Sequence, residues 1–301
     1  MLSITVKASF ILLPMDETSQ QNHLKAYGIT YWCLNKNYKA SWLLNYRGGS
    51  FLLPDAAEIR KECQIRGVSF EVLSDSEETI LNEISSPSQN MESVVLEKAP
   101  KIAVYTPKGK QPWDDAVTLV LTYAEIPFTP IYDEEVLADQ LLLYDWLHLH
   151  HEDFTGQYGK FYGAYKNTPW YIEQKKEAEV LASQLGYSKV SQEKGAVAKK
   201  IRDFVIGGGF MFAMCSATDS FDIALAADEV DICESMFDGD ASTANYQSKM
   251  NYENSFAFKD FTLERRPEQY EFSDIDMTMK RRIPMEKDYF TLMEYSAKWD
   301  P

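Results

Sequence analysis

Cys215 lies between a wholly apolar run, Phe210 to Met214, and a stretch beginning Ser216-Ala217-Thr218-Asp219 that suits the first turn of a helix. A cysteine on a tight strand-to-helix turn sits at the positive end of a helix dipole. A thiolate is favoured there, and the sulfur is exposed at the carboxyl edge of the sheet. The chemistry on offer is nucleophilic attack on an acyl carbon. The competing reading is a small buried apolar residue, which is what most free cysteines are. A second group is Leu147-His148-Leu149-His150-His151-Glu152-Asp153. On a strand His148 and His150 share one face, and His151, Glu152 and Asp153 lie just past its edge. They fall beside Cys215 if the two strands are neighbours. His150 or His151 would then act as the base for the thiol, with Glu152 orienting a ring. Alternatively, His148, His150 and Asp153 would hold a divalent metal such as zinc. The plainest alternative makes His148 a core histidine and the others hydrogen-bonded loop residues.

Further chemistry is spread more thinly. The stretch FTGQYGKFYGAYKNTPWY from Phe154 to Tyr171 is dense in aromatic rings and glycines. Tyr158 and Tyr162 are candidates to wall a sugar or small-molecule ligand, or the rings pack a long loop onto the domain. Lys108 and Lys110, ahead of a helix opening at Pro112, are candidates to receive an anion or are solvated charges. Asp228 to Asp240 is acidic but lacks the Asp/Asn spacing and distal Glu of a calcium loop, so it reads as a solvated turn. His23 reads as a surface helix residue.

The elements that must position these groups follow an α/β pattern. Residues 9–97 form a smaller unit: a strand at Phe10 to Leu13, a helix from His23 to Leu34, and two strand-like runs in Trp42 to Leu53 around Arg47-Gly48-Gly49. A helix from Asp55 to Arg66 follows, bounded by Pro54 and Gly67, then a strand at Val68 to Leu73 and a helix from Asp75 to Ile84. Ser85 to Asn90 reads as a linker. Residues 98–301 alternate strands (Lys101 to Tyr105, Phe128 to Tyr132, one within Leu141 to Leu149, Phe210 to Met214) with helices (Pro112 to Glu125, Trp170 to Leu185, Ala196 to Val205). The glycines Gly207 to Gly209 stop the last of these helices. This predicts a flavodoxin-like, doubly wound parallel sheet with Phe210 to Met214 covered on both faces and the site at the carboxyl ends. Phe256 to Asp276 carries alternating runs expected to be antiparallel strands.

Composition sets the outer limits. A net charge of −16 over 301 residues argues against nucleic acid and anionic membrane surfaces. No apolar run is long enough to span a bilayer. Four cysteines without C-x-x-C spacing make no disulfide framework. Val6-Lys7-Ala8 has the look of the tail of a leader, which favours export to the periplasm over a cytoplasmic location. The ending SAKWDP closes no element and reads as an incomplete C-terminus. Nothing in the sequence sets the oligomeric state.

The strand KIAVY (Lys101 to Tyr105), the strand end WLHLHHED (Trp146 to Asp153) and RDFVIGGGFMFAMCSA (Arg202 to Ala217) resemble the class I glutamine amidotransferase-like superfamily, and more closely its ThuA-like relatives. FILLPMDETSQQNHLKAYGITYW, WLLNYRGGSFLLP, PWDDAVTLVLTYAEIPF and FAMCSATDSFDIALAADEVDICESMFDGD extend the likeness over nearly the whole chain. Together they resemble a bacterial family commonly labelled "asparagine synthetase B". The resemblance implies Cys215 as nucleophile in amide hydrolysis or acyl transfer. It also implies main-chain N–H groups of Ser216 and of the Gly208-Gly209 region as an oxyanion site. The chain departs from the label at several points. Met1 is followed by Leu2 rather than an N-terminal cysteine, and no S-G-G-x-D-S-like ATP loop occurs. No histidine follows His151, and the resemblance implies a further Gly-Gly-His segment beyond Pro301. The alternative function is a sugar- or glycan-binding module on the same scaffold, without turnover.

Overall fold

The computed structural model describes residues 9–73, 77–86, 88–107, 116–276 and 284–287. The leader-like Val6-Lys7-Ala8, Lys108, Lys110, Pro112 and the terminal SAKWDP lie outside them. The described chain forms two compact units, one of residues up to 100 together with 116–127, the other of 101–107 and 128 onward.

The first unit is built on an antiparallel sheet of β1 (Phe10–Leu13), β2 (Ala40–Leu44), β3 (Ser50–Pro54), β4 (Glu71–Leu73) and β5 (Glu92–Leu96), in the order β4-β1-β3-β2-β5. Its helices are α1 (His23–Asn35), α2 (Ala57–Arg66), α3 (Glu77–Ile84) and α4 (Ala116–Ala124). Alternation along β1 and β3 turns Ile11, Leu13, Phe51 and Leu53 to one face, where Ile29 of α1 and Ile59 of α2 cover them. The β2–β3 turn takes left-handed backbone at Asn45 and Arg47. The Arg47 guanidinium then spans to Asp16 and Glu71 at 3.2 and 2.8 Å. Helices α1 and α4 meet at Gly28, where any Cβ would come within 1.8 Å of the Ala124 carbonyl oxygen. Glycine is required there by distance alone. Cys33 and Cys63 are fully buried, and burial pushes both thiols up to about 12. Strand β5 was not expected, and β4 is shorter than the alternating run that announced it.

The second unit holds a parallel sheet of β6 (Ile102–Tyr105), β7 (Phe128–Ile131), β8 (Trp146–Leu149) and β9 (Phe210–Ala213), in the order β7-β6-β8-β9. The direction of winding reverses between β6 and β8. Helix α5 (Asp133–Leu137) follows β7. Helices α6 (Tyr162–Tyr165), α7 (Pro169–Gln184) and α8 (Val190–Ile206) lie between β8 and β9, and α9 (Ser216–Ala226) follows β9. Ala103, Tyr105, Leu147 and Leu149 pack with Val197 and Ile201 of α8 and Phe221 of α9 to make the core. Among the described residues no helix is long and apolar enough to cross a membrane.

Two expectations fail here for physical reasons. Among the described strands β9 lies at the edge of its sheet, and it is not covered on both faces, with Phe210 59% and Phe212 47% exposed. An unbroken apolar run says that a strand exists, and its place in the sheet is set by pairing partners far away in sequence. Among the described residues the Phe256 to Asp276 segment forms no ladder beyond a single bridge between Leu263 and Ser273. It is held instead by side chains reaching its main chain. The Asp222 carboxylate accepts from the N–H groups of Phe256, Ala257 and Phe258 at 2.8, 2.7 and 2.8 Å. Gln247 accepts from Leu263 N–H and donates to Phe261 oxygen. Removing the carboxylate strands three N–H groups. Asp222→Ala is therefore expected to lower unfolding free energy by about 3 kcal/mol in urea denaturation.

A buried polar cluster sits where β6 and β7 end. Lys194 of α8 donates from Nζ to Asp133 Oδ2 at 2.5 Å, to the Tyr105 hydroxyl at 3.0 Å and to the Tyr132 hydroxyl at 3.1 Å. The Tyr105 hydroxyl also donates to Asp133. Burial alone would lower the ammonium, and the Asp133 charge overrides it, holding Lys194 well above its ordinary range. Beside it, burial pushes the Glu193 carboxyl up to about 8.

Candidate active site

The parallel register of β8 and β9 sets His148 opposite Phe212 and Leu149 opposite Ala213. The ladder runs on as Met214 N–H donates to Leu149 oxygen at 3.0 Å, and Ala217 N–H then donates to His150 oxygen at 3.3 Å. The histidine-rich strand end and the cysteine turn are thus hydrogen-bonded neighbours at the carboxyl edge. Ser220 of α9 fixes the next residues by donating to Glu152 oxygen at 2.7 Å. Cys215 is the N-cap of α9, exposed, with φ 52° and ψ −136°. Its carbonyl accepts from Thr218 N–H at 3.1 Å and from Thr218 Oγ1 at 2.6 Å. That backbone conformation is sparsely populated for any residue with a Cβ and costs on the order of 1–3 kcal/mol. It is the sharp strand-to-helix turn that lifts a nucleophile clear of a sheet edge.

The other predicted residues divide. Ser216 opens α9, so by position its N–H is one of the helix's orphan donors, beside the sulfur. Gly208 and Gly209 lie at the far end of β9, six positions before Cys215 in the case of Gly209, which is on the order of 15–20 Å along an extended chain. They end α8, Gly208 with φ +99°, and the oxyanion role expected of them is corrected to that of a helix stop. His148 is buried and stacked on Phe212 with ring centroids 5.8 Å apart. His150 and His151 stack on one another at 3.6 Å. Glu152 Oε2 accepts from His150 N–H at 2.5 Å, so this carboxylate closes the strand end. Asp153 is engaged by Thr155 N–H, Thr155 Oγ1 and Gly159 N–H at 2.7, 2.6 and 2.8 Å. It organises the loop and does not gather with His148 and His150 as a ligand set. Among the described residues the one such set is Asp231, Cys233 and Asp238, whose ligand atoms lie within 4.8 Å of one another. The Lys189 ammonium already bridges Asp231, Asp238 and Asp240 there, at 2.5 and 2.9 Å to the first two. The acidic stretch is thus organised around a lysine rather than merely solvated. A cavity of about 360 Å³ beside Lys189, lined also by Ser191, Gln192 and Gly195, does not include Cys215.

Of the two readings of the aromatic loop, the structure shows the rings packed onto the domain. Tyr158 is buried edge-on to Tyr171 at 6.2 Å, and Tyr162 packs on Phe237 at 5.9 Å, so both build a satellite core with Cys233. Other rings of this stretch run toward the 270 segment. Tyr165 meets Trp170 at 5.1 Å, Trp170 meets Phe161 at 5.8 Å, and Phe161 meets Tyr270 at 6.0 Å. Burial pushes the Tyr270 phenol up to about 12, with the Cys215 sulfur adding to the rise. Tyr270 stands in a run that reads as a strand, and no local pattern marks it for this contact with Phe161.

Asp219, in the first turn of α9, is 4% exposed, and its Oδ2 has no hydrogen-bond partner among the described residues. Burial pushes its carboxyl up to about 7, with Asp276 and Asp153 adding to the rise. The folded state therefore holds a proton that the unfolded chain has released above about pH 4. This stabilisation is complete below that pH and is lost as pH rises through about 7. Asp219→Asn is expected to flatten the urea-unfolding free energy over that interval, removing a decline of about 3–4 kcal/mol.

The fold and site define a two-unit α/β protein with an exposed cysteine on a strained turn at the carboxyl edge of a parallel sheet. Comparison of the chain with family models, with curated proteins and with solved structures returns no match.

Proposed function

We propose that this protein is a cysteine-dependent amide hydrolase or acyl transferase of the class I glutamine amidotransferase-like, ThuA-like kind, on a flavodoxin-like sheet, with Cys215 as nucleophile. The observation that carries the reading is the Cys215 backbone, at φ 52° and ψ −136° on an exposed turn that opens an eleven-residue helix. A strained residue persists only where the surrounding structure imposes it, and strain of this kind collects at reactive sites. In the reaction the sulfur bonds to the amide carbon, the C–N bond breaks, and the nitrogen leaves carrying the thiol's proton. Water then adds to the thioester, releasing the acid and returning the proton to sulfur. Ser216 N–H is the donor placed to receive the carbonyl oxygen as it gains charge. His150 and His151, joined to this turn through the main chain, are the candidate bases, with Glu152 holding the strand end that carries them.

The test is an electrophilic glutamine analogue, such as a chloroketone, followed by peptide mass mapping. One adduct at Cys215 and ammonia release from glutamine, both lost in Cys215→Ser, is the expected result. Absence of both sinks the proposal. The ring sequence Tyr165–Trp170–Phe161–Tyr270 supports a second reading, a sugar- or glycan-binding module. In that case saccharide binding by calorimetry survives Cys215→Ser while no adduct forms.

A further inference from the structure

We propose that the cavity between α8 and the end of α9 binds a small organic cation, an ammonium group on a hydroxylated carbon frame. Its volume of about 360 Å³ is that of a small-molecule site. It is separate from the cysteine turn. Cys215 opens α9, whereas Ala224 and Ala227 line the cavity from the other end of that helix, about 15 Å away along its axis. Two ion pairs join the cavity walls. Lys189 Nζ lies 2.5 Å from Asp231, and Lys199 Nζ lies 2.9 Å from Asp228. Those lysines are spaced about 15 Å apart along α8. Between them the helix presents Gly195 to the cavity, and a Cβ built there would meet nothing within 4 Å. A glycine inside a helix weakens it, and no neighbour here comes close enough to require one. The missing side chain keeps the space open. A residue that breaks a local rule without a packing reason marks a functional position.

Charge selects the class of ligand. The start of α8 and the Lys189 ammonium are positive, and Asp231, Asp238 and Asp240 already answer them. Lys199 is answered by Asp228. Glu229 is left over: it lines the cavity, is exposed, and makes no ion pair among the described residues. The last turn of α9 adds the negative end of a helix dipole on the same side. An anion is repelled by this wall and an ammonium is attracted. Donors for hydroxyl oxygens face the same space. The Gln192 carbonyl accepts from the Ser188 hydroxyl at 2.8 Å and leaves its NH₂ to donate. Thr243 Oγ1 accepts from Asp231 N–H at 3.0 Å and leaves its own O–H to donate. Phe154 and Ile232 supply apolar lining for the carbon frame.

The experiment is titration calorimetry with glucosamine and with N-acetylglucosamine at about pH 6, where the free amine is protonated and a solvated carboxylate is ionised. It uses the intact chain, Gly195→Leu, Glu229→Gln and Cys215→Ser, with thermal midpoints recorded alongside. Glucosamine is expected to bind the intact chain and Cys215→Ser alike. N-acetylglucosamine keeps the hydroxyls but not the charge and is expected to bind at least 10-fold more weakly. Gly195→Leu fills the cavity without a clash and is expected to abolish binding, with a thermal midpoint at or above that of the parent. Glu229→Gln is expected to weaken binding at least 10-fold with the midpoint unchanged. Where Gly195→Leu lowers the midpoint, the surface change at Glu229 decides alone. No glucosamine binding to the intact chain, equal binding of the two sugars, or binding that Glu229→Gln leaves within twofold overturns the inference. None of these results bears on Cys215 as nucleophile, which the chloroketone adduct decides separately.

Discussion

Iodoacetamide at pH 7.5 is expected to modify Cys215 at least 100-fold faster than any other thiol in the chain, and Cys215→Ser to abolish the fast phase. Exposure and ionisation both set this contrast. Cys33 and Cys63 are fully buried, and their thiols are pushed up to about 12. At pH 7.5 their thiolate fraction is then on the order of 10⁻⁴ or less before access is considered. Cys233 is buried too, and its Sγ donates to Thr155 oxygen at 3.1 Å. Cys215 is exposed at the first turn of α9, where the helix dipole favours an anion. The measurement is the time course of modification, resolved by peptide. Uniform slow labelling of all four cysteines would remove the basis for a thiol reaction. A near-isosteric replacement such as Cys215→Ser also relieves nothing in the backbone, so stability is expected to stay within about 0.5 kcal/mol of the parent.

The second large effect belongs to Lys194. Lys194→Met is expected to cost about 3–5 kcal/mol, read from urea denaturation, because it leaves a buried carboxylate without its cation. Asp133 is 1% exposed, and after the change the Tyr105 hydroxyl still donates to it but no cation faces it. Asp133→Leu alone is expected to cost a similar amount, since it leaves the ammonium between two phenols. Combined, the two changes replace an ion pair by apolar groups of comparable size. The double variant is expected to recover most of the loss, a coupling of at least about 2 kcal/mol. Additive losses would mean that the pair contributes through separate contacts rather than as a unit.

These two sites differ in how much of them the sequence disclosed. Cys215 is visible because a strand-length apolar run, a helix-opening Ser-Ala-Thr-Asp and the cysteine between them are local features, each with a local cause. The hairpin at Arg47-Gly48-Gly49, helix α1 and helix α2 with its Gly67 stop are visible for the same reason. Lys194 and Asp133 are not visible, being separated by 61 positions and joined only by folding. The glycines Gly208 and Gly209 misled in a specific way. Their helix-stopping role is local and correct, but the oxyanion role ignored the strand that separates them from Cys215. For Tyr158 and Tyr162 the sequence offered both a ligand wall and a packed loop, because ring density predicts that aromatics cluster without saying which ones face a site. Phe161, between them, is the one that reaches toward Tyr270.

The sequence by itself determined the alternation of strands and helices, the position of the cysteine turn and the acidic character of the chain. Periodicity, capping and charge are properties of neighbouring residues, so they need no partner to be read. The tertiary structure alone decided that β9 lies at the sheet's edge among the described strands, that the histidine strand lies beside it, and that Asp219 is buried at the start of α9. Those outcomes depend on which distant segments pair and bury one another, and that competition is settled by the whole chain at once.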